Sequence, residues 1–268
     1  MKQLLLVVLL LSTISLSAKE SGYSLSVALV GMRMDYREYD DARVILNSEK
    51  SAFNEIIGSE FTLDYTEAYS DNTYAQAGIE MLFLGGRTKY VGSLIGSGLG
   101  YGSYLSTTQN NISDISVYYM YSYSFNNGLD FGYGLALGHR SWERILSASQ
   151  IEVYYWFSLR PRAKLTYKFA EFCVGALVEY QYGISPKMSA TGFASDFNLG
   201  SANIAKLKIP FTYTLNKQLS LFTEYVYEQQ IIEKSNVQAS DADSSKFFLE
   251  PDSTANNQYI KIGATFKF

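Results

Sequence analysis

Residue types that build nucleophiles and proton relays are sparse in this sequence. Its one histidine, His139, sits in "LGHRSW" with no acidic residue within two positions. A general base needs such a partner, because the carboxylate orients the imidazole toward the group it deprotonates. Alternation along the segment puts His139 on the apolar side, where it reads as an interface residue. "DAD" holds Asp241 and Asp243 in a polar stretch, which reads as solvated surface rather than as a catalytic dyad. With Glu250 and Asp252 they could offer oxygens to calcium, but the spacing matches no ligand loop. Cys173 is the lone cysteine and cannot form an internal disulfide. The expectation is no enzyme, no catalytic residue, no metal and no cofactor.

Charge chemistry is richer. In "IEVYYWFSLRPRAKLTYKF", Arg160, Arg162, Lys164 and Lys168 share one face with Glu152 and Trp156. Further along, the same face reads acidic at Glu179, basic at Lys206 and Lys208, acidic at Glu224 and Glu228, then basic at Lys261 and Lys267. Opposite charges on neighbouring strands attract across a ladder. Turn geometry fixes which residues meet. A three-residue loop at 126–128, with Gly128 left-handed, sets Phe125 against Leu129 and Asp114 against Arg140. A two-residue turn at Ala170 and Glu171 brings Arg162 opposite Glu179, and the loop "NKQ" sets Lys206 opposite Glu228. Trp142 and Trp156 are read on the charged face, as fillers.

The elements that must carry this ladder are long two-sided strands. "ISVYYMYSYSF" puts Ile115, Val117, Tyr119, Tyr121, Tyr123 and Phe125 on one face, and "LDFGYGLALGHRSW" sets Phe131, Tyr133, Leu135 and Leu137 against Gly132, Gly134, Gly138 and Arg140. Tight turns are read at 69–73, 126–128, 170–171 and 216–218. Longer polar connections are read near 40–52, 91–110, 144–149, 188–201 and 237–255. Short turns at one end and long loops at the other describe an all-β, up-and-down antiparallel barrel of about ten strands, with eight to twelve as the range. A soluble lipocalin-like barrel would turn its apolar face inward. Here the charged face also carries glycines and the apolar face is nearly continuous, so the barrel is expected inside-out: apolar to lipid, charged to the lumen. Pro161 and Pro210 fall within strands and are expected to mark bulges.

Composition agrees with a single barrel domain over 19–268. Tyr at 23 and Phe at 16 are high, as in strands and at membrane interfaces. Mean hydropathy is -0.06, and no long apolar run follows Leu4–Leu11. Residues 1–18 read as a secretory signal peptide, with one Lys, that apolar run, and small residues near Ser17 and Ala18. A net charge of -4 leaves no footprint for nucleic acid.

The last residues, "YIKIGATFKF", alternate to a terminal Phe268, with Phe266, Ala264, Ile262 and Ile260 behind it. This pattern resembles the C-terminal signal of Gram-negative outer-membrane β-barrels. The resemblance implies export to the outer membrane, assembly by the barrel-assembly machinery, and contact with outer-membrane lipid and lipopolysaccharide. A monomer is expected. "HRSWER" and "EPDST" are similar to segments of uncharacterised proteobacterial barrels and assign no chemistry. Arg43, Lys50, Arg87, Lys89 and Arg144 are read at or near the outer loops, where they could meet lipopolysaccharide phosphates. The expected role is structural or surface-interacting, with a charge-plugged lumen. A narrow porin or small-solute channel is the alternative. An omptin-like enzyme comes third, since omptins require paired aspartates and an Asp–His couple.

Overall fold

Period-two alternation produces strands throughout, and among the described residues there is no helix. The computed structural model describes residues 21–70, 72–93, 100–125 and 128–268. The expected signal peptide at 1–18, the tip of the turn at 69–73 and two residues of the 126–128 turn lie outside them.

Ten long strands follow one another. They are β1 (Gly22–Arg33), β2 (Ile56–Ala68), β3 (Thr73–Gly92), β4 (Tyr104–Ser124) and β5 (Leu129–Ser147), then β6 (Gln150–Phe169), β7 (Phe172–Ala190), β8 (Ala202–Thr214), β9 (Leu219–Ile232) and β10 (Asp252–Lys267). Each pairs antiparallel with the next, and β10 pairs with β1 from Ser24↔Lys267 to Arg33↔Gln258. The sheet is therefore closed, and no edge is left to pair with another chain. Above β1 the chain continues as Asp35–Tyr39, returns as Ile45–Lys50, and wedges this ribbon between β10 and β3.

The register follows the turns. Gly128 takes φ 84°, and Phe125 N–H donates to Leu129 at 2.7 Å. Asp114↔Arg140, Arg162↔Glu179 and Lys206↔Glu228 all pair as expected. Several connections are shorter than expected, because strand pairing continues past the polar boundary. β4 already starts at Tyr104, β5 runs on to Ser147, and β10 begins at Asp252. The prolines also differ from expectation. Pairing of β6 with β7 stays in step from Leu159↔Tyr182 to Arg162↔Glu179, and pairing of β8 with β7 from Lys208↔Leu177 to Phe211↔Val174. Each proline therefore leaves a gap in the ladder and inserts no residue, because it lacks a donor but fits extended φ. The β6 irregularity falls instead between Tyr155 and Phe157, near Ser185 at φ 49°.

Faces sort as the pattern requires. On β5, Phe131, Tyr133, Leu135 and Leu137 are exposed on the outer wall, while Gly132, Ala136, Gly138 and Arg140 are buried inside. Higher on the same outer face stands Glu143, which accepts from Asn111 Nδ2 at 2.6 Å. The apolar band thus covers only the lower part of strands that run 19–21 residues from β3 to β7. About 9–11 residues suffice to cross a bilayer. Above that band the outer wall of β4 and β5 carries polar residues such as Asn111 and Glu143, and the long loops rise from this end.

Candidate functional site: the charged lumen and the vestibule above it

Every residue expected on the inner ladder faces the lumen: Asp114, Arg140, Arg160, Arg162, Lys164, Glu179, Lys206, Lys208, Glu224 and Glu228. Neighbour pairing is only part of their bonding. Arg140 reaches 3.5 Å from Asp114 on β4, but it grips Glu228 on β9 with two bonds of 3.1 and 3.0 Å. Lys206 bridges the same two acids, at 3.3 Å to Asp114 and 3.0 Å to Glu228. Arg160 adds a bond of 2.7 Å to Asp114. Its guanidinium occupies the space over Gly138, where a Cβ would stand 2.3 Å from Cζ. That close approach explains the glycine at 138 on the charged face.

Lower down, Arg162 joins Glu179 at 2.5 Å and Glu80 at 2.6 Å, and Lys208 reaches Glu80 at 3.5 Å. Lys261 bonds Glu60 and Glu224, each at 2.8 Å. Lys164 donates to Gln76 at 2.8 Å. Glu60 and Glu80 were not singled out in the sequence. Their alternation with outward Phe61 and Ile79 was the available signal. Lys168 sits at the short-turn rim, mostly exposed, 3.1 Å from Asp130. A void of about 30 Å³ remains in this layer, lined by Glu60, Glu80, Asp114, Arg160, Lys206 and Lys208 among others. That is room for about one water.

Above the charged layer, Trp142 and Trp156 are buried in the lumen as expected. Arg144 corrects an expectation. It is no loop residue but the next inward position after Arg140 and Trp142 on β5, and it is buried. It donates to Glu38 at 2.9 Å, Glu49 at 2.7 Å and Glu152 at 2.8 Å, and its guanidinium lies 4.6 Å from the Tyr36 ring centroid. Tyr154 donates its one hydroxyl hydrogen to Glu250 at 2.5 Å, and its oxygen lies 3.3 Å from Glu152, Arg144's neighbour. Glu250 belongs to the loop before β10, so the loop descends into the vestibule. Burial, then the nearby Glu38 and Glu152, push its carboxyl well above the usual range.

The loops over this vestibule pack on one another. Phe193 contacts Phe197 and Phe248 at 4.9 and 5.5 Å between centroids. The loop carboxylates that could offer oxygens to calcium go separate ways. Asp241 accepts from Ala194 N–H, Asp243 from Ser245, and Asp252 from Lys234 N–H. Among the described residues, no group of His, Cys, Asp and Glu is placed to hold a metal. His139 lies on the outer wall with its ring 4.9 Å from Phe157.

The terminal residues expected to signal assembly lie at the seam of the barrel. Ile260 and Ile262 are exposed on the outer wall of β10. Phe268 N–H donates to Tyr23 at 3.0 Å, and its ring packs 6.1 Å from that of Phe266.

Comparison with solved structures places this architecture. The outer-membrane protease OmpT from Escherichia coli superposes with a TM-score of 0.57 at 12% identity, covering 96% of this chain and 99% of that one. The fold is that of an outer-membrane β-barrel. Looser matches are the transport unit of the autotransporter AIDA-I from Escherichia coli (TM-score 0.47, 10% identity, 96% and 94% covered) and Neisserial surface protein A (TM-score 0.39, 11%, 94% and 100%). No protein-family model and no curated protein matches the sequence.

Proposed function

We propose that this protein is an integral outer-membrane barrel whose lumen is closed to solutes, and that it acts through its long-loop end in a structural or surface-interacting role. The observation that carries this reading is the filled lumen. Bulky charged side chains from opposite walls bond across it, as Arg140 to Glu228 and Arg162 to Glu80, and leave a void of about 30 Å³. A hydrated ion does not fit such a space. The exposed apolar band supports membrane embedding, since in lipid a closed barrel leaves no backbone group unpaired. A monomer built by the barrel-assembly machinery suits a closed sheet without free edges.

The reading includes no catalysis. OmpT is a protease, but the likeness at 12% identity concerns the fold. In this chain the one histidine packs against Phe157 outside the wall, while the vestibule carboxylates Glu38, Glu49 and Glu152 are held inside it by Arg144. Planar-bilayer recording of the purified, refolded protein tests the proposal. We expect no steady conductance. A stable channel of defined conductance would establish the narrow-pore alternative instead.

A further inference from the structure

On the outer wall just above the apolar band, the register gathers four cations, three of which have no acidic partner among the described residues. Arg33 on β1 and Arg87 on β3 both flank Glu55, because Met32 pairs with Ile56, and Arg87 N–H donates to Glu55 O at 3.0 Å. They are thus two strand spacings, about 10 Å, apart. Lys89 follows Arg87 on the same face, and Lys50 pairs directly with it. Like charges placed opposite each other repel. Lys50 has Asp35 at 3.5 Å, an acid that it shares with Arg37 at 3.2 Å. Glu55 is engaged by Ala52 N–H at 2.7 Å. Among the described residues, no carboxylate lies within ion-pair distance of Arg33, Arg87 or Lys89, and all three are exposed.

The wall beneath them is apolar. Leu29 and Phe83 flank Ser59, with Ile57 one step higher, and they are 74%, 44% and 60% exposed. Cations immediately above exposed apolar side chains match a molecule with an anionic head and hydrocarbon chains. We propose that Arg33, Lys50, Arg87 and Lys89 form a site for the phosphate-bearing headgroup of a lipid in the leaflet on the long-loop side. Its chains lie along Leu29, Ile57 and Phe83. The headgroup phosphate supplies the counter-charge that Arg33, Arg87 and Lys89 lack and that Lys50 must share with Arg37 at Asp35, and guanidinium and ammonium groups both bind phosphate strongly.

This inference rests on the embedding proposed above, and the test separates the two. The full chain is reconstituted into nanodiscs of phosphatidylcholine doped with bisphosphorylated lipid A, or with the same lipid dephosphorylated. Lipid retained on the released protein is then counted by native mass spectrometry. We expect selective retention of the phosphorylated form, weakened by added salt. In Arg87→Gln/Lys89→Gln that retention should fall about 30-fold, or about fivefold for each cation removed. Lys50→Gln alone should lower it less, and Lys246→Gln, which lies in a different loop, should not change it. Failure to enter nanodiscs would overturn the embedding and the site with it. Entry without preference for phosphate, or equal loss in Lys246→Gln, would overturn the site alone.

Discussion

Glu228→Gln is the sharpest probe of whether the lumen is dry. Glu228 is 0% exposed and takes two bonds from Arg140, one from Lys206, and one each from Asn257 and Tyr259 at 3.0 and 2.9 Å. In this cluster the cations Arg140, Arg160 and Lys206 face the carboxylates Asp114 and Glu228. The amide keeps an acceptor for Asn257 and Tyr259 but turns a donor toward Arg140, and Asp114 is left alone against three cations. Removing one partner of a desolvated pair costs about 3–5 kcal/mol. With a slope of about 3 kcal/mol per molar urea, the unfolding midpoint should fall by about 1–2 M. Adding Lys206→Met restores the balance of charge and should recover part of the loss, since both changes act on the same bonds. The assay is urea unfolding in a defined detergent, followed by tryptophan fluorescence. If the lumen were hydrated, the pair would be screened and the cost would be about 1 kcal/mol or less. A midpoint within about 0.3 M of wild type would refute the reasoning.

Arg162 is bonded to both Glu179 and Glu80, so Glu179→Gln alone should cost about 2 kcal/mol in the same assay. Arg162→Gln in the same chain should restore part of it, and a midpoint unchanged by Glu179→Gln would contradict the packing described. Deleting Phe268 should lower the amount of assembled, heat-modifiable barrel in cells more than Thr265→Ala does. Equal amounts would remove the role proposed for the terminal residue. The Glu250 carboxyl is held above its ordinary value of 4.5 by burial and its acidic neighbours, so its contribution to loop closure is present below that pH and is lost as pH rises through the raised value. Protease cutting within 233–251 should therefore increase with pH in wild type, after correction for protease activity. It should respond less in Glu250→Gln, and cutting that increases toward acid would oppose the assignment.

Parity was legible in the sequence because side chains alternate faces along any strand, whatever its neighbours. It placed Asp114, Arg162, Glu179 and Glu228 inside and Tyr133, Leu135 and Ile262 outside. Neighbouring registers were legible too, since the turns at 170–171 and 216–218 are local and fix the pairs Arg162↔Glu179 and Lys206↔Glu228. Strand ends were not. Polar residues at 144–149 look the same in a loop as on a strand that rises clear of lipid, and Arg144 was misplaced for that reason. The contacts across the lumen came only from the tertiary structure: Arg140 to Glu228, 88 residues apart, Arg162 to Glu80, 82 apart, and Lys261 to Glu60, 201 apart. Which inward residues meet across a barrel depends on its diameter and on the stagger with which its first and last strands close. Those are properties of the whole closed sheet, and no single strand or turn encodes them.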